Sequence, residues 1–236
     1  MSQASGARED LAKYAQGLGI DLIGVAPVDR FAAAPQGHRP TDIMPGAKTV
    51  IVLAMRCLAG PMKNNHWTSY TAVHEGNVGR LDSAAYYLAR HIEENHAATA
   101  IPVPAMTPFY SWDEEKQYAA GDLSLKHAAV AAGLGAMGKN SLLITPQYGN
   151  MVNLVAVITD LAIEPDPVGS AQLCPAGCRL CVDACPAKAL RGDGTVNQRA
   201  CRSHCWTKLA RGFAVLQCWR CREICPANGP GRLSAS

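Results

Sequence analysis

Nine of the ten cysteines of this 236-residue chain lie between Cys174 and Cys225, and only Cys57 lies outside that segment. Disulfide frameworks spread cysteines through small exported domains that carry a secretory signal. Here the N-terminus is polar, and it lacks the basic start and apolar stretch of such a signal. Thiols crowded into one segment therefore indicate a metal-binding unit.

Two groups of cysteines end in the same spacing, C-x2-C-x3-C-P, which is the end of the bacterial ferredoxin pattern. Prolines 186 and 226 follow the last cysteine of each group. In such a pattern three thiolates hold one [4Fe–4S] cluster, and the fourth cysteine reaches a second cluster. The first group has one residue more than the common form between its first two cysteines, and Gly177 is available to absorb it.

The pairing rule of this pattern assigns the cysteines to two clusters. The first cluster is predicted on Cys174, Cys178, Cys181 and Cys225. The second cluster is predicted on Cys185, Cys218, Cys221 and either Cys201 or Cys205. Zinc and disulfides are the alternatives, but zinc ribbons use two C-x2-C pairs and do not need paired C-x3-C-P endings.

The residues before the cysteine segment alternate between helical and strand periodicity. We predict helices over 7–17, 78–94 and 123–132, and strands over 21–28, 49–54, 98–103 and 151–163. This order predicts an α+β fold in layers, with helices covering a sheet. We expect a sheet domain over 1–168, a cluster module over 169–228 and a flexible tail over 229–236.

Composition excludes several functional classes. Charged residues make up 17% of the chain and the net charge is +3, so the bulk numbers give no signal for polyanion binding. The longest apolar runs, such as 49–55, are far shorter than the roughly 20 residues of a membrane span. We therefore expect a cytoplasmic protein that does not contact membranes.

A glycine-rich stretch, GLGAMGKN at 133–140, lies between a predicted helix and the apolar run 141–145. It is not a P-loop, because Asn140 follows Lys139 where serine or threonine is required, and it lacks the strand-to-helix order of a dinucleotide fingerprint. Taken alone, the pattern fits a helix cap followed by a turn.

Residues 125–143, LKHAAVAAGLGAMGKNSLL, resemble the catalytic core of epoxyqueuosine reductases, as do Gly149, Thr159-Asp160 and the two cysteine groups. Reductive dehalogenases are similar over the same region, and the resemblance covers most of 45–226. It implies a nitroreductase-like sheet domain that holds a corrinoid, followed by a bacterial-ferredoxin-like module. The implied activity is an oxidoreductase in which two [4Fe–4S] clusters pass electrons to cobalamin. The resemblance also favours Cys201 over Cys205.

The resemblance implies roles for residues outside the cysteine groups. The acid that these reductases carry before the glycine-rich stretch falls at Ala119 here, so Asp122 and Tyr110 are the candidate proton donors. The residues implied to hold cobalamin are Gly133, Leu134, Gly135, Gly138, Lys139, Asn140 and Ser141.

The resemblance also bears on partners. A basic face on Arg202, Arg211, Arg220 and Arg222 would receive reduced flavodoxin or ferredoxin as the electron donor. The family's C-terminal helical-repeat region has no counterpart after Pro226, so we expect a small organic substrate and not tRNA. The alternatives are a protein that only transfers electrons or reduces and delivers a corrinoid, and a variant of the fold that binds FMN.

Overall fold

The computed structural model describes residues 3–106, 111–115, 118–169, 173–209 and 212–228. The helices within these ranges are α1 (Gln3–Gly17), α2 (Pro40–Ile43), α3 (Gly60–Lys63), α4 (Trp67–His96), α5 (Leu125–Ala131), α6 (Leu180–Asp183), α7 (Gln198–Cys205) and α8 (Arg220–Glu223). The strands are β1 (Leu22–Pro27), β2 (Thr49–Arg56), β3 (Ala100–Val103), β4 (Ser111–Asp113), β5 (Tyr118–Ala120), β6 (Ala136–Met137), β7 (Leu143–Ile144), β8 (Val152–Thr159), β9 (Trp206–Lys208) and β10 (Ala214–Leu216).

Four strands form an antiparallel sheet in the order β1-β2-β8-β3. The central strands β2 and β8 are apolar along nearly their whole length because both faces of the sheet are covered. Ile51 and Leu53 pack into the core beneath α1 and α4, whereas Val50 and Val52 pack into the core beneath α5. The predicted mixture of helices and a sheet is confirmed.

Helix α4 is three turns longer at its N-terminus than the prediction of 78–94. The predicted apolar stripe, which includes Leu81 and Leu88, is fully buried against the sheet. The additional turns pack instead against the cysteine-rich segment: the Oγ1 of Thr71 accepts a hydrogen bond from the amide of Leu216 at 2.9 Å. The residues of these additional turns form no apolar stripe, so hydrophobic periodicity did not predict that they are helical.

The cysteine-rich segment has short helices and a small two-stranded sheet, and its buried residues pack on the sheet domain. Trp219 packs with Met62 and Met151, and Ala227 packs with Ile144. The stretch that leads into the segment is anchored as well, because Asp166 forms an ion pair with Arg8 at 3.0 Å. The segment therefore buries its apolar residues against the part of the chain that precedes it, as expected of a unit this small.

Among the described residues, no helix combines the length and the apolar character that crossing a bilayer requires.

Candidate metal centre

Four cysteines, drawn from both groups, line one pocket. They are the four residues predicted for the first cluster: Cys174, Cys178, Cys181 and Cys225. The other lining residues are Lys139, Asn140, Ile144, Leu173, Pro175, Leu180, Pro226 and Ala227. The fold thus brings a cysteine of the second group into contact with the first group, which is the exchange that the two-cluster pattern requires.

Local structure explains how this pocket forms. Helices α6 and α8 are single turns that begin beside their cysteines and pack against each other. Gly177 has a φ of 70°, a left-handed conformation that glycine adopts without strain, and it makes the turn between Cys174 and Cys178. The extra residue of the first group is accommodated at this glycine.

The thiols of the pocket destabilise one another's charged forms. Burial raises the pKa of Cys181, and the nearby thiols of Cys174 and Cys178 raise it further. Burial likewise raises the pKa of Cys225, and the same neighbours add to the effect. Four crowded thiolates need compensating positive charge, and the iron atoms of a cluster provide it. The donor set therefore fits a [4Fe–4S] cluster.

The cysteines predicted for the second cluster lie near one another: Cys185, Cys201, Cys205, Cys218 and Cys221. Burial raises the pKa of Cys201, and Cys218 and Cys185 raise it further. Burial raises the pKa of Cys221 to about 11 and that of Cys205 to about 12. Both candidates for the fourth ligand thus lie near the second predicted cluster.

Cys205 differs from Cys201 in its hydrogen bonding. Its Sγ donates to the carbonyl oxygen of Cys218 at 3.3 Å, whereas a thiolate ligand has no proton to donate. This contact favours Cys201 as the fourth ligand, which stays a prediction.

The cysteines predicted for the two clusters lie next to each other, because the thiol of Cys181 contributes to raising the pKa of Cys221. Adjacent clusters at these positions would form a continuous path for electrons.

Arg222 was predicted to lie on a basic surface, and that prediction is wrong. Its guanidinium lies inside the junction between the sheet and the cysteine groups, where it donates to the carbonyl oxygens of Asn150 and Val152. Burial opposes its charge, but the nearby Tyr70, Cys57, Cys221 and Cys205 together outweigh burial and raise the pKa of Arg222. Among the described residues no carboxylate pairs with it.

Two other arginines of the predicted basic face have partners of their own. Arg220 pairs with Glu223 at 2.9 Å, and the guanidinium of Arg202 lies 5.4 Å from the ring centroid of Trp112. Arg211 lies outside the described residues. Sequence reasoning missed the interior position of Arg222, although its place in the single turn between two cluster cysteines was visible.

A polar network surrounds Asn153 beside this arginine. The Sγ of Cys57 and the Nδ2 of Asn77 donate to its Oδ1 at 2.9 and 3.3 Å. The Nδ2 of Asn153 lies 3.1 Å from the Nδ1 of His74. Burial lowers the pKa of His74, and the charge of Arg222 lowers it further. Cys57 thus belongs to this network and not to the cluster cysteines.

The glycine-rich stretch, which was predicted to hold cobalamin, contacts the cysteine groups. The Nζ of Lys139 donates to the carbonyl oxygen of Cys178 at 2.9 Å, and the Nδ2 of Asn140 donates to that of Cys221 at 3.2 Å. The Oγ of Ser141 accepts from Lys126 at 3.2 Å.

The glycines of this stretch are required by neighbouring parts of the chain itself. A Cβ at Gly135 would meet the backbone of Ile144, and one at Gly133 would meet the backbone of Pro167. At Gly138 a Cβ would meet the side chains of Asn140 and Ile144. Leu134 is buried in the core beneath α5. Close packing within the chain therefore accounts for the three glycines.

Asn150 is a buried polar residue that sequence reasoning missed. It is 1% exposed, and neither its Oδ1 nor its Nδ2 has a hydrogen-bond partner among the described residues. Its backbone nitrogen donates to the carbonyl oxygen of Ala227 at 3.0 Å. Ala227 is one of the residues that line the cysteine pocket. A buried amide without a partner is costly, and this one fits a bound group at the junction.

The predicted proton donors are placed as follows. Asp122 is partly buried in the loop between β5 and α5, and Tyr110 lies outside the described residues. Ala119 lies on β5, where its amide nitrogen and carbonyl oxygen both pair with the side chain of Gln198 at 3.1 Å. At the position where the resembling reductases carry an acid, this chain therefore has a main-chain contact with α7.

Comparison with known proteins shows which proteins the chain is similar to. No family model matches the chain. The chain is 26% identical to the epoxyqueuosine reductase of Bacillus subtilis, over 94% of this chain and 63% of that protein. It is 46% identical to the epoxyqueuosine reductase of Listeria monocytogenes, over 46% of this chain and 30% of that protein.

The chain is a homologue of the epoxyqueuosine reductases. It spans less than two thirds of the length of these relatives, namely 63% of the Bacillus subtilis protein.

Solved structures show the same fold. Epoxyqueuosine reductase from Streptococcus thermophilus superposes with a TM-score of 0.66 at 23% identity, over 95% of this chain and 66% of that one. An epoxyqueuosine reductase bound to an epoxyqueuosine-modified tRNA stem loop gives 0.64 at 22% identity, over 94% and 65%. A reductive dehalogenase studied for B12-dependent dehalogenation gives 0.73 at 19% identity, over 98% and 33%.

Proposed function

We propose that the chain is an iron–sulfur reductase that uses cobalamin. The observation that carries the proposal is the pocket in which Cys225 joins Cys174, Cys178 and Cys181. The names of the homologues and the B12-dependent dehalogenase among the structural neighbours support a reductase with these cofactors. When bound, the clusters supply one-electron transfer and cobalamin supplies low-valent cobalt.

In this proposal the sheet domain, 1–168, is nitroreductase-like and holds the corrinoid, and 169–228 is a ferredoxin-like module. The four pocket cysteines hold one cluster, while Cys185, Cys201, Cys218 and Cys221 hold the other. The glycine-rich stretch, 133–141, fixes the module against the sheet domain through Lys139 and Asn140. The unpaired amide of Asn150 is available to a bound group at the same junction.

Asp122 is the proposed proton donor. It lies just ahead of α5, on the loop that follows β5, and the neighbouring Ala119 has no proton to give. An isosteric Asp122→Asn change removes the acid but retains the size of the side chain. If Asp122 donates the proton, this variant loses turnover and still takes up both cofactors.

The substrate is proposed to be epoxyqueuosine in tRNA, which replaces the expectation of a small organic molecule. The homologues are named for this substrate, and a structural neighbour holds an epoxyqueuosine-modified tRNA stem loop. The donor is proposed to be reduced flavodoxin or ferredoxin. The interior position of Arg222 removes one of the charges on which that expectation depended.

One experiment tests the proposal and its alternatives. Anaerobically purified protein is titrated with cobalamin, reduced with dithionite and supplied with an epoxyqueuosine-modified tRNA stem loop, and queuosine is measured by mass spectrometry. We expect cobalamin binding, reduction of cobalt through the clusters, and queuosine. A matched Cys181→Ser variant should give none of the product.

Three outcomes would contradict the proposal. Retention of FMN with no cobalamin binding would favour a flavin variant of the fold. Reduction of bound cobalamin without queuosine would favour a protein that reduces or delivers corrinoid. Absence of iron–sulfur absorption after reconstitution would show that the chain does not bind the two clusters.

A further inference from the structure

Two histidines of α4 and an aspartate of α1 converge on one point away from the cysteine groups. The Nε2 of His91 and the Nε2 of His96 lie 2.8 and 2.9 Å from the same oxygen of Asp10, its Oδ2. One potential ligand atom from each side chain lies within 4.8 Å of the other two. His91 and His96 are five residues apart on α4, and it is the packing of α1 on α4 that brings Asp10 to them.

The ring of His91 is held in place by its neighbours. Tyr14, one turn along α1 from Asp10, stacks on it with ring centroids 4.0 Å apart and an interplanar angle of 17°. The side-chain amide of Asn95 lies 3.2 Å from the Nδ1 of His91. These two neighbours fix the orientation of the imidazole ring.

The backbone also favours a cation at this point. His96 is the last residue of α4, a helix of 30 residues, and the C-terminal end of a helix carries partial negative charge. The two histidine side chains are 16% and 18% exposed, whereas that of Asp10 is 44% exposed. The group is thus enclosed on the imidazole side and open to water on the carboxylate side.

We propose that Asp10, His91 and His96 bind a zinc ion, with water as the fourth ligand. Two imidazoles and one carboxylate form a donor set that zinc accepts, whereas calcium and magnesium prefer oxygen ligands alone. Ligand atoms in a tetrahedral zinc site lie about 3.3 Å apart, given bonds of roughly 2.0–2.1 Å. On zinc binding, the distances from the Oδ2 of Asp10 to the two Nε2 atoms would lengthen by about half an ångström. The half-exposed side chain of Asp10 can make that movement.

Such an ion would fasten α1 to the C-terminal end of α4. The site is independent of the proposed reductase function, since none of its three residues belongs to the cysteine groups or to the junction beside them.

The test uses the full chain with its iron–sulfur clusters assembled, so that the cysteines are occupied. Zinc chloride is added alone, and bound zinc is measured by equilibrium dialysis with mass spectrometry. We expect one zinc per chain, with binding lost in Asp10→Asn, His91→Gln and His96→Gln. His38→Gln removes a histidine outside the group, and it should bind zinc as the wild type does.

X-ray absorption at the zinc edge provides a second readout that does not depend on the variants folding. We expect a shell of nitrogen and oxygen atoms with the outer scattering of two imidazoles, and no sulfur. A sulfur shell would assign the zinc to thiols and overturn the proposal. Failure of the wild type to retain zinc, or equal zinc uptake by wild type and Asp10→Asn, would also overturn it.

Discussion

The backbone amide of Lys139 lies 3.5 Å from the Sγ of Cys174, and the ammonium group of the same lysine donates to the carbonyl oxygen of Cys178 at 2.9 Å. One residue of the glycine-rich stretch therefore reaches both ends of the turn that opens the first cysteine group. Hydrogen bonds to a ligand sulfur stabilise its charge and raise the reduction potential of a cluster. The stretch thus belongs to the metal centre as much as to the sheet domain.

The first prediction separates Cys201 from Cys205. Cys201→Ser should lose the second cluster and about half of the iron, because a cubane needs four protein ligands. Cys205→Ser should keep its iron, since the thiol of Cys205 donates to the carbonyl oxygen of Cys218. Iron analysis and Mössbauer spectroscopy of the two matched variants measure the difference. The reverse pattern would make Cys205 the ligand.

The second prediction concerns the interior charge of Arg222. Arg222→Gln should lower the reduction potential of the neighbouring cluster, because the positive charge favours the added electron. At an effective dielectric of about 20 a unit charge at about 4 Å contributes about 4 kcal/mol, and the effect falls inversely with distance, so we expect a shift on the order of tens of millivolts or more. Redox titration followed by electron paramagnetic resonance measures it.

Arg222→Lys is the matched control, since it keeps the charge and should stay closer to the wild-type potential. Equal potentials in the wild type and the glutamine variant would show that the charge does not act on the cluster.

The third prediction concerns His74. Its pKa is lowered by burial and by Arg222, so it should titrate below the ordinary value of about 6.5. The folded chain holds the neutral ring, while the unfolded chain takes up a proton first. The resulting contribution to stability is complete above about pH 6.5 and is lost as the pH falls through the lowered pKa.

Nuclear magnetic resonance of histidine-labelled protein gives this pKa directly. In Arg222→Gln the pKa of His74 should move up towards the ordinary value. Titration of His74 at or above the values of the exposed histidines would contradict the assignment.

The fourth prediction compares two glycines. Gly135→Ala should destabilise the folded chain by about 1–3 kcal/mol, because the new methyl group meets the backbone of Ile144. Gly79→Ala, in the exposed part of α4 with open space around it, should stabilise the chain by about 0.5–1 kcal/mol. Apparent melting temperatures of the two variants should therefore shift in opposite directions. A neutral Gly135→Ala variant would exclude close packing as the reason for that glycine.

Much of the fold followed from local patterns. The stripe that includes Leu81 and Leu88 predicted the buried face of α4, and apolar runs predicted β2 and β8, because periodicity reports directly on burial. The cysteine spacing predicted which thiols would meet, and Cys225 does reach the first group. For the helix and the strands the signal lies within the element that it predicts, and for the cysteines it lies in the spacing of each group.

The junction between the sheet and the cysteine groups was not predictable in the same way. The interior position of Arg222, the isolation of the amide of Asn150 and the contacts of Lys139 all depend on residues more than 30 positions away. The sequence predicted Arg222 on a basic surface and Lys139 at a cofactor, and it indicated nothing for Asn150. Only the folded chain shows their contacts, because the burial of a polar group is decided by its distant partners.

The union of Cys225 with Cys174, Cys178 and Cys181 in one pocket also bears on biogenesis. Each cubane would draw thiols from both cysteine groups, so a nascent chain could not complete the first until Cys225, or the second until Cys221, had left the ribosome. Iron and sulfide would then have to be delivered after translation of this segment, to a chain whose sheet had already formed.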